Sequence, residues 1–147
     1  MCQSINNLNI GRQFEARVYK ELLDLKQFDC IYDEIDLRKQ YGWDSSGIDF
    51  LVVKGNIALA IQLKWRKSRR RESIGIEKFL NSLSYVKQKS GETNAGYNLA
   101  GGLYISRLEP FEDNKEKLRE HNIISLSCFE SMESLVEQTK RSFIFSQ

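Results

Sequence analysis

The stretch GIDFLVVKGNIALAIQLKW, residues Gly47 to Trp65, decides the fold. Two runs of β-branched and large apolar residues, 49–53 and 57–65, flank Lys54, Gly55 and Asn56, and a two-residue Gly-Asn loop is a recognised tight hairpin connection. With that loop Lys54 pairs with Ile57, and counting back along both strands places Asp49 opposite Gln62. Opposed residues share a face with Cβ atoms roughly 4.5–5.5 Å apart, and Lys64, two residues beyond Gln62, shares it too. The same parity sets Ile57, Leu59, Ile61, Leu63 and Trp65 on one face, expected to be the core face, and Ala58, Ala60, Gln62 and Lys64 on the other. Asp49, Gln62 and Lys64 therefore converge at one end of an apolar hairpin.

Outward from the hairpin, Phe14, Val18, Leu22 and Leu25 recur at helical spacing and predict an amphipathic helix over about 10–28, with Asn9 as its N-cap. Cys30 to Leu37 alternates loosely and reads as a strand, and RKQYGWDSSG reads as turn and loop. Ile76, Phe79, Leu80, Leu83 and Val86 predict a second helix ending near Lys89. Leu99 to Ser106 reads as a buried strand, the polar stretch from Pro110 to about Glu120 as a helix, Ile123 to Ser127 as a short strand, and Phe129 to about Lys140 as a final helix. Hairpin-connected strands followed by helix-separated ones imply an α/β fold, a mixed central sheet flanked by helices, in one domain spanning 1–147.

Composition describes an ordinary globular protein, 41% apolar and 29% charged. No apolar run approaches the roughly 18 residues needed to cross a bilayer, and MCQSINNLN has neither a basic nor an apolar leader region, so a soluble intracellular protein without a membrane partner is expected. Cys2, Cys30 and Cys128 are odd in number and lack C-x-x-C spacing, which suggests neither a disulfide framework nor a zinc ribbon. They read as free thiols, with Cys30 and Cys128 expected inside. His121, the single histidine, stands in the polar stretch KEKLREHN and reads as a surface residue.

The net charge of +2 is unevenly placed: six of the 22 basic residues fall between Lys64 and Arg71, a stretch without an acidic residue, which leaves the rest of the chain net acidic. Such a local patch is either a solvated loop or the footprint of a polyanion. The polar trio has two readings as well. Asp49 could open a strand, Gln62 satisfy a buried backbone group and Lys64 snorkel outward. Alternatively a carboxylate, an amide oxygen and the strand's own carbonyl could hold a hard cation such as Mg²⁺, with the lysine steering a water or stabilising charge on a phosphate, an arrangement suited to phosphodiester hydrolysis.

Gly47-Ile48-Asp49 followed by Gln62-Leu63-Lys64 resembles the signature of the PD-(D/E)XK, or restriction endonuclease-like, nuclease superfamily, and is most similar to its Mrr-type branch, in which Q-x-K replaces E-x-K. Glu15 in GRQFEARVYKELL resembles the glutamate that the family commonly carries on its first helix. The likeness spans roughly residues 8 to 140 and implies a restriction endonuclease-like mixed sheet. It also implies a Mg²⁺-dependent endonuclease (Mn²⁺ able to substitute) in which Asp49, Gln62 and the Leu63 carbonyl ligate the metal, Lys64 positions water or phosphate, and Glu15 is an auxiliary ligand. Gln62 is neutral, so this site has one carboxylate fewer than an E-x-K site. On this reading Arg66, Lys67, Arg69, Arg70 and Arg71 neutralise DNA phosphates. Tyr41 and Trp43 either stack on bases or pack over their own core. Duplex or branched DNA is the expected partner, a Holliday junction included, and a homodimer the expected assembly. RNA cleavage, or a catalytically silent DNA-binding or protein-binding domain, are the alternatives.

Overall fold

A computed structural model describes residues 2–127 and 131–145. The order is α1 (Cys2–Asp24), β1 (Cys30–Asp33), α2 (Glu34–Tyr41), β2 (Phe50–Lys54), β3 (Ile57–Lys64), α3 (Glu72–Glu92), β4 (Asn98–Ser106), α4 (Glu112–Glu120), β5 (Ile123–Ser127) and α5 (Met132–Phe145). The five strands lie side by side in chain order. β1, β2 and β3 pair antiparallel, whereas β4 and β5 extend the sheet in parallel with β3. Parallel pairing needs crossovers, and α3 and α4 supply them.

The hairpin has the register its turn dictates: Lys54 pairs with Ile57 and Phe50 with Ile61. Gly55 takes the left-handed conformation (φ 62°), and its N–H donates to the Asp29 carboxylate at 2.6 Å, so the turn is held from outside as well. One face of the sheet packs on α1 and α5 through Phe14, Val18, Leu22, Ile61, Leu63 and Leu135. The other packs on α3, with Ala58 and Ala60 of β3 leaving room for Ile76, Phe79 and Leu83. Both faces are thus covered, where the hairpin's alternation suggested a single core face. The rim differs too, because Ile57 at the turn is exposed.

Four boundaries depart from the sequence reading. Helix α1 begins at Cys2, so Asn9 lies within it and is not a cap. The strand expected over Cys30–Leu37 stops at Asp33, and Glu34–Tyr41 is helical where strand and loop were expected. A reciprocal capping box switches the chain there: the Asp33 carboxylate accepts from Asp36 N–H at 2.7 Å, and the Asp36 carboxylate accepts from Asp33 N–H at 3.0 Å. Gly42, left-handed at φ 73°, ends the helix. Helix α3 starts at Glu72 rather than near Ile76. Finally, α5 runs Met132–Phe145; residues 128–130, with Cys128, lie outside the described residues.

Strand β4 contains one irregularity with consequences. Ala58 pairs with Leu99 but Leu59 pairs with Gly101, so Ala100 is an extra residue and the inward-outward parity of β4 reverses past it. Leu99 and Tyr104 consequently lie on the same face, towards α3. Cys30 is a half-buried free thiol rather than a fully buried one, and His121 is exposed, as its polar surroundings implied.

Replacing Asp33 by Ala removes one half of the capping box and should lower stability by about 1 kcal/mol. Urea unfolding of Asp33→Ala against the parent protein measures it; an unchanged midpoint would mean that α2 is held by packing alone.

Candidate active site

The hairpin's open end is built by the 43–49 segment as it approaches β2. Trp43, 2% exposed, stacks on Tyr41 with ring centroids 4.1 Å apart and belongs to the core beneath α3, so Trp43 packs inward rather than offering its face to a base. Ile48 N–H donates to Ser45 O and closes a turn. Gly47 then passes directly over the α3 backbone: a Cβ there would lie 2.5 Å from Lys78 O, so only glycine fits. Its N–H donates to Ser82 Oγ at 3.1 Å, tying the segment to α3.

Two residues later Asp49 aligns with β3. Its N–H donates to Ile61 O at 2.9 Å, and its Oδ2 accepts from Leu63 N–H at 2.7 Å. N–H and C=O of one strand residue point to the same side, so the Leu63 carbonyl faces the Asp49 edge of β3. Among the described residues no donor meets Asp49 Oδ1. Burial is the main cause that pushes the Asp49 carboxyl up, to about 7; the Leu63 N–H opposes it, and the negative fields of Glu15 and Glu34 add to it.

Gln62 is 4% exposed, so its amide must find partners within the protein. The orientation that satisfies it has Nε2 donating to Gly47 O and to Asp49 Oδ2 (3.3 Å), and Oε1 accepting from Lys64 Nζ at 3.0 Å. The amide thus links the carboxylate to the ammonium. Lys64 is half-buried and its pKa is lowered, first by desolvation and next by Arg66, with Asp49 and Glu15 opposing. Glu15, on the solvent side of α1 beside buried Phe14 and Val18, has its carboxyl raised, first by partial burial, with Lys64 and Arg12 opposing and Glu34 adding.

The structure therefore brings Asp49, Gln62, Leu63 and Lys64 together and puts Glu15 within their electrostatic reach. Glu34, at the first turn of α2, belongs to the same field and was missed, because its segment reads as strand. Arg66, Lys67, Arg69, Arg70 and Arg71 follow on an exposed loop. Arg69 is partly engaged already: its guanidinium donates to Glu109 O at 3.1 Å and lies 4.6 Å from the centre of the Phe111 ring.

Carboxylate, carbonyl and amide oxygens without Cys or His form a donor set for a hard cation. Among the described residues no three His, Cys, Asp or Glu side chains are grouped to hold an ion by themselves. One buried carboxylate beside an amide and a main-chain carbonyl is compatible in donor type with an ion of the Mg²⁺ kind, which keeps several waters and takes one or two carboxylates. The desolvated Asp49, with a free Oδ1 and two negative neighbours, is the group such an ion would relieve. For Gln62 to ligate through oxygen, its amide would have to turn away from Lys64.

No protein-family model, curated protein or solved structure matches this chain. Among the described residues no helix is long and apolar enough to cross a membrane.

The raised Asp49 pKa makes a signed prediction. Between its ordinary 3.8 and about 7 the folded protein holds a proton that the unfolded chain has released, so stability falls as pH rises through that window and levels off above it. The loss is on the order of 4 kcal/mol. Urea unfolding in chelator at pH 4, 5.5 and 7.5 should show this slope in the parent protein and a much flatter one in Asp49→Asn; equal slopes would contradict the buried carboxylate.

Proposed function

We propose that this protein is a metal-dependent endonuclease of the PD-(D/E)XK type that hydrolyses phosphodiester bonds in DNA. One observation carries the reading: a buried carboxylate of raised pKa, a buried amide and a half-buried lysine are linked in one hydrogen-bonded line at the end of a hairpin, and a basic loop leaves from the lysine. The antiparallel hairpin continued by parallel, helix-connected strands agrees with the mixed sheet that the resemblance implies.

Asp49 Oδ1, the Leu63 carbonyl and, after its amide turns, Gln62 would hold Mg²⁺ or Mn²⁺, with Glu15 acting through water. Such an ion, when bound, supplies Lewis-acid polarisation of the phosphoryl oxygen and a more acidic water. The protein's own contributions follow from its geometry. Lys64, partly desolvated, places an ammonium where charge builds on the phosphate, and the low local dielectric strengthens that interaction. Its lowered pKa also leaves more of it neutral at a given pH than a free lysine, and so available as a base, although each neutral amine is the weaker base. Before its amide turns to an ion, Gln62 holds the Lys64 ammonium through Oε1, and Leu63 N–H holds Asp49 in one rotamer. Arg66, Lys67, Arg70 and Arg71 position the backbone without reading bases. Cutting both strands of a duplex calls for two such sites, hence a homodimer.

A second reading, a nucleic-acid-binding domain that does not cleave, draws on the lack of a three-carboxylate cluster among the described residues. Cleavage of supercoiled plasmid, linear duplex, a four-way junction and RNA in Mg²⁺ or Mn²⁺ separates the two. Lys64→Ala and Asp49→Ala should each lose about a hundredfold or more in rate while the fold is retained. Undiminished cleavage by Asp49→Ala would sink the assignment, and binding without cleavage of any substrate would favour the second reading.

The Gln62 amide gives a sharper test. Gln62→Glu would turn a carboxylate towards the Gly47 carbonyl and Asp49, so the variant should unfold more readily in chelator, recover its stability with Mg²⁺ and bind that ion more tightly than the parent. Equal stability with and without Mg²⁺ would separate Gln62 from the metal.

A further inference from the structure

Next to Lys64 a small cavity opens between the 66–71 loop, the first turn of α3 and the end of β4. Four cationic side chains line it: Lys64, Arg66, Arg69 and Arg71. Ser68, Ser106 and Tyr104 add hydroxyls to its wall, and Glu72 a carboxyl. Tyr104, 3% exposed, also lines the cavity, and no hydrogen bond of its hydroxyl is found among the described residues. A hydroxyl at a cavity wall without a protein partner is a donor open to an acceptor seated there. Burial, and after it the field of Glu72, push the Tyr104 phenol upward against Arg66, which keeps the group an O–H donor.

The single acid in the wall is occupied elsewhere. Glu72 Oε1 accepts from Phe111 N–H and from Asn114 Nδ2, both at 2.8 Å, and so fastens the start of α3 to the start of α4. Of the other side chains around the cavity, the four cations are donors and the Ser68 and Tyr104 hydroxyls can donate, whereas the Ser106 hydroxyl already donates to Leu108 O at 2.6 Å. A compact oxyanion satisfies such a ring, and a planar carboxylate would leave donors on the far side unmet.

We propose that this cavity seats one phosphate group of a nucleic-acid strand, adjoining the phosphate that Lys64 attends, with Arg66, Arg71 and the Tyr104 hydroxyl as its donors. The strand as carrier rests on the nuclease reading, whereas the seat itself does not. It turns the basic segment from a diffuse positive patch into a defined subsite that would fix the strand's register on Lys64.

Inorganic phosphate is the first probe, titrated calorimetrically in chelator at constant ionic strength. The parent protein should bind it saturably, Tyr104→Phe about tenfold more weakly, as for one hydrogen bond to a charged group, and Arg66→Gln with Arg71→Gln not measurably. Lys39→Gln, on α2, should bind like the parent. Phosphate binding equal in the parent, Tyr104→Phe and the double arginine variant would overturn the seat. The second arm identifies the carrier: unphosphorylated duplex DNA should displace phosphate. Its affinity should drop about tenfold in Tyr104→Phe with an unchanged salt slope, and the slope should flatten by about two in the double variant. Phosphate binding that DNA fails to displace would overturn the strand assignment. Displacement by DNA that is nowhere cleaved would uphold the seat and remove the nuclease reading alone.

Discussion

Everything in this molecule hangs on the register of one hairpin. Because side chains alternate, a slip of one residue between β2 and β3 would turn Ala58 and Ala60 away from α3 and send Ile61 and Leu63 into their place, exchanging the contents of the two cores. It would also part Asp49 from Leu63 N–H. The two-residue turn at Gly55 forbids that slip, with Asp29 bracing it from the neighbouring loop. Core and site are thus set by the same few backbone angles, and neither could be altered alone.

Against that rigid frame the site is electrostatically uneasy. Three carboxylates, Glu15, Glu34 and Asp49, repel one another across a partly dry region, and Lys64 relieves them incompletely because it is itself desolvated. The pKa directions of three groups agree on this: Asp49 and Glu15 rise and Lys64 falls, each towards its neutral form. A fold holds such strain only where surrounding packing outweighs it. Here that packing is the doubly covered sheet, which buries Phe14, Phe79, Leu51 and Ile61 almost entirely.

How much of this was legible beforehand depended on the kind of signal. Helices α1 and α3 announce themselves because their apolar residues are buried in a regular period, and the hairpin because two apolar runs flank a Gly-Asn turn. Helix α2 does not: of its eight residues only Leu37 is buried, so there is no period to find, and its capping box uses Asp at the fourth position in place of the usual Glu or Gln. Missing α2 meant missing Glu34. The early start of α1 was hidden for another reason, since Asn6, Asn7 and Asn9 are weak helix formers. Tyr104 was obscured by the extra residue at Ala100; plain alternation from Leu99 aims it at the wrong core. Asp49, Gln62 and Lys64 were findable because buried polar groups in an apolar strand demand an explanation, whereas whether they perform chemistry is written in no spacing.

Gly47 has a mechanical meaning beyond its fit. Between most helices and sheets lies a cushion of side chains whose rotamers absorb small displacements. Where Gly47 crosses α3 that cushion is missing: backbone lies on backbone, with Ser82 bonded on one side of the glycine and Gln62 on the other. Close-packed interiors transmit strain, and here the path has no compliant link. The helix that follows the basic loop and the Gln62 amide are thereby joined through Gly47 with no layer of side chains between them.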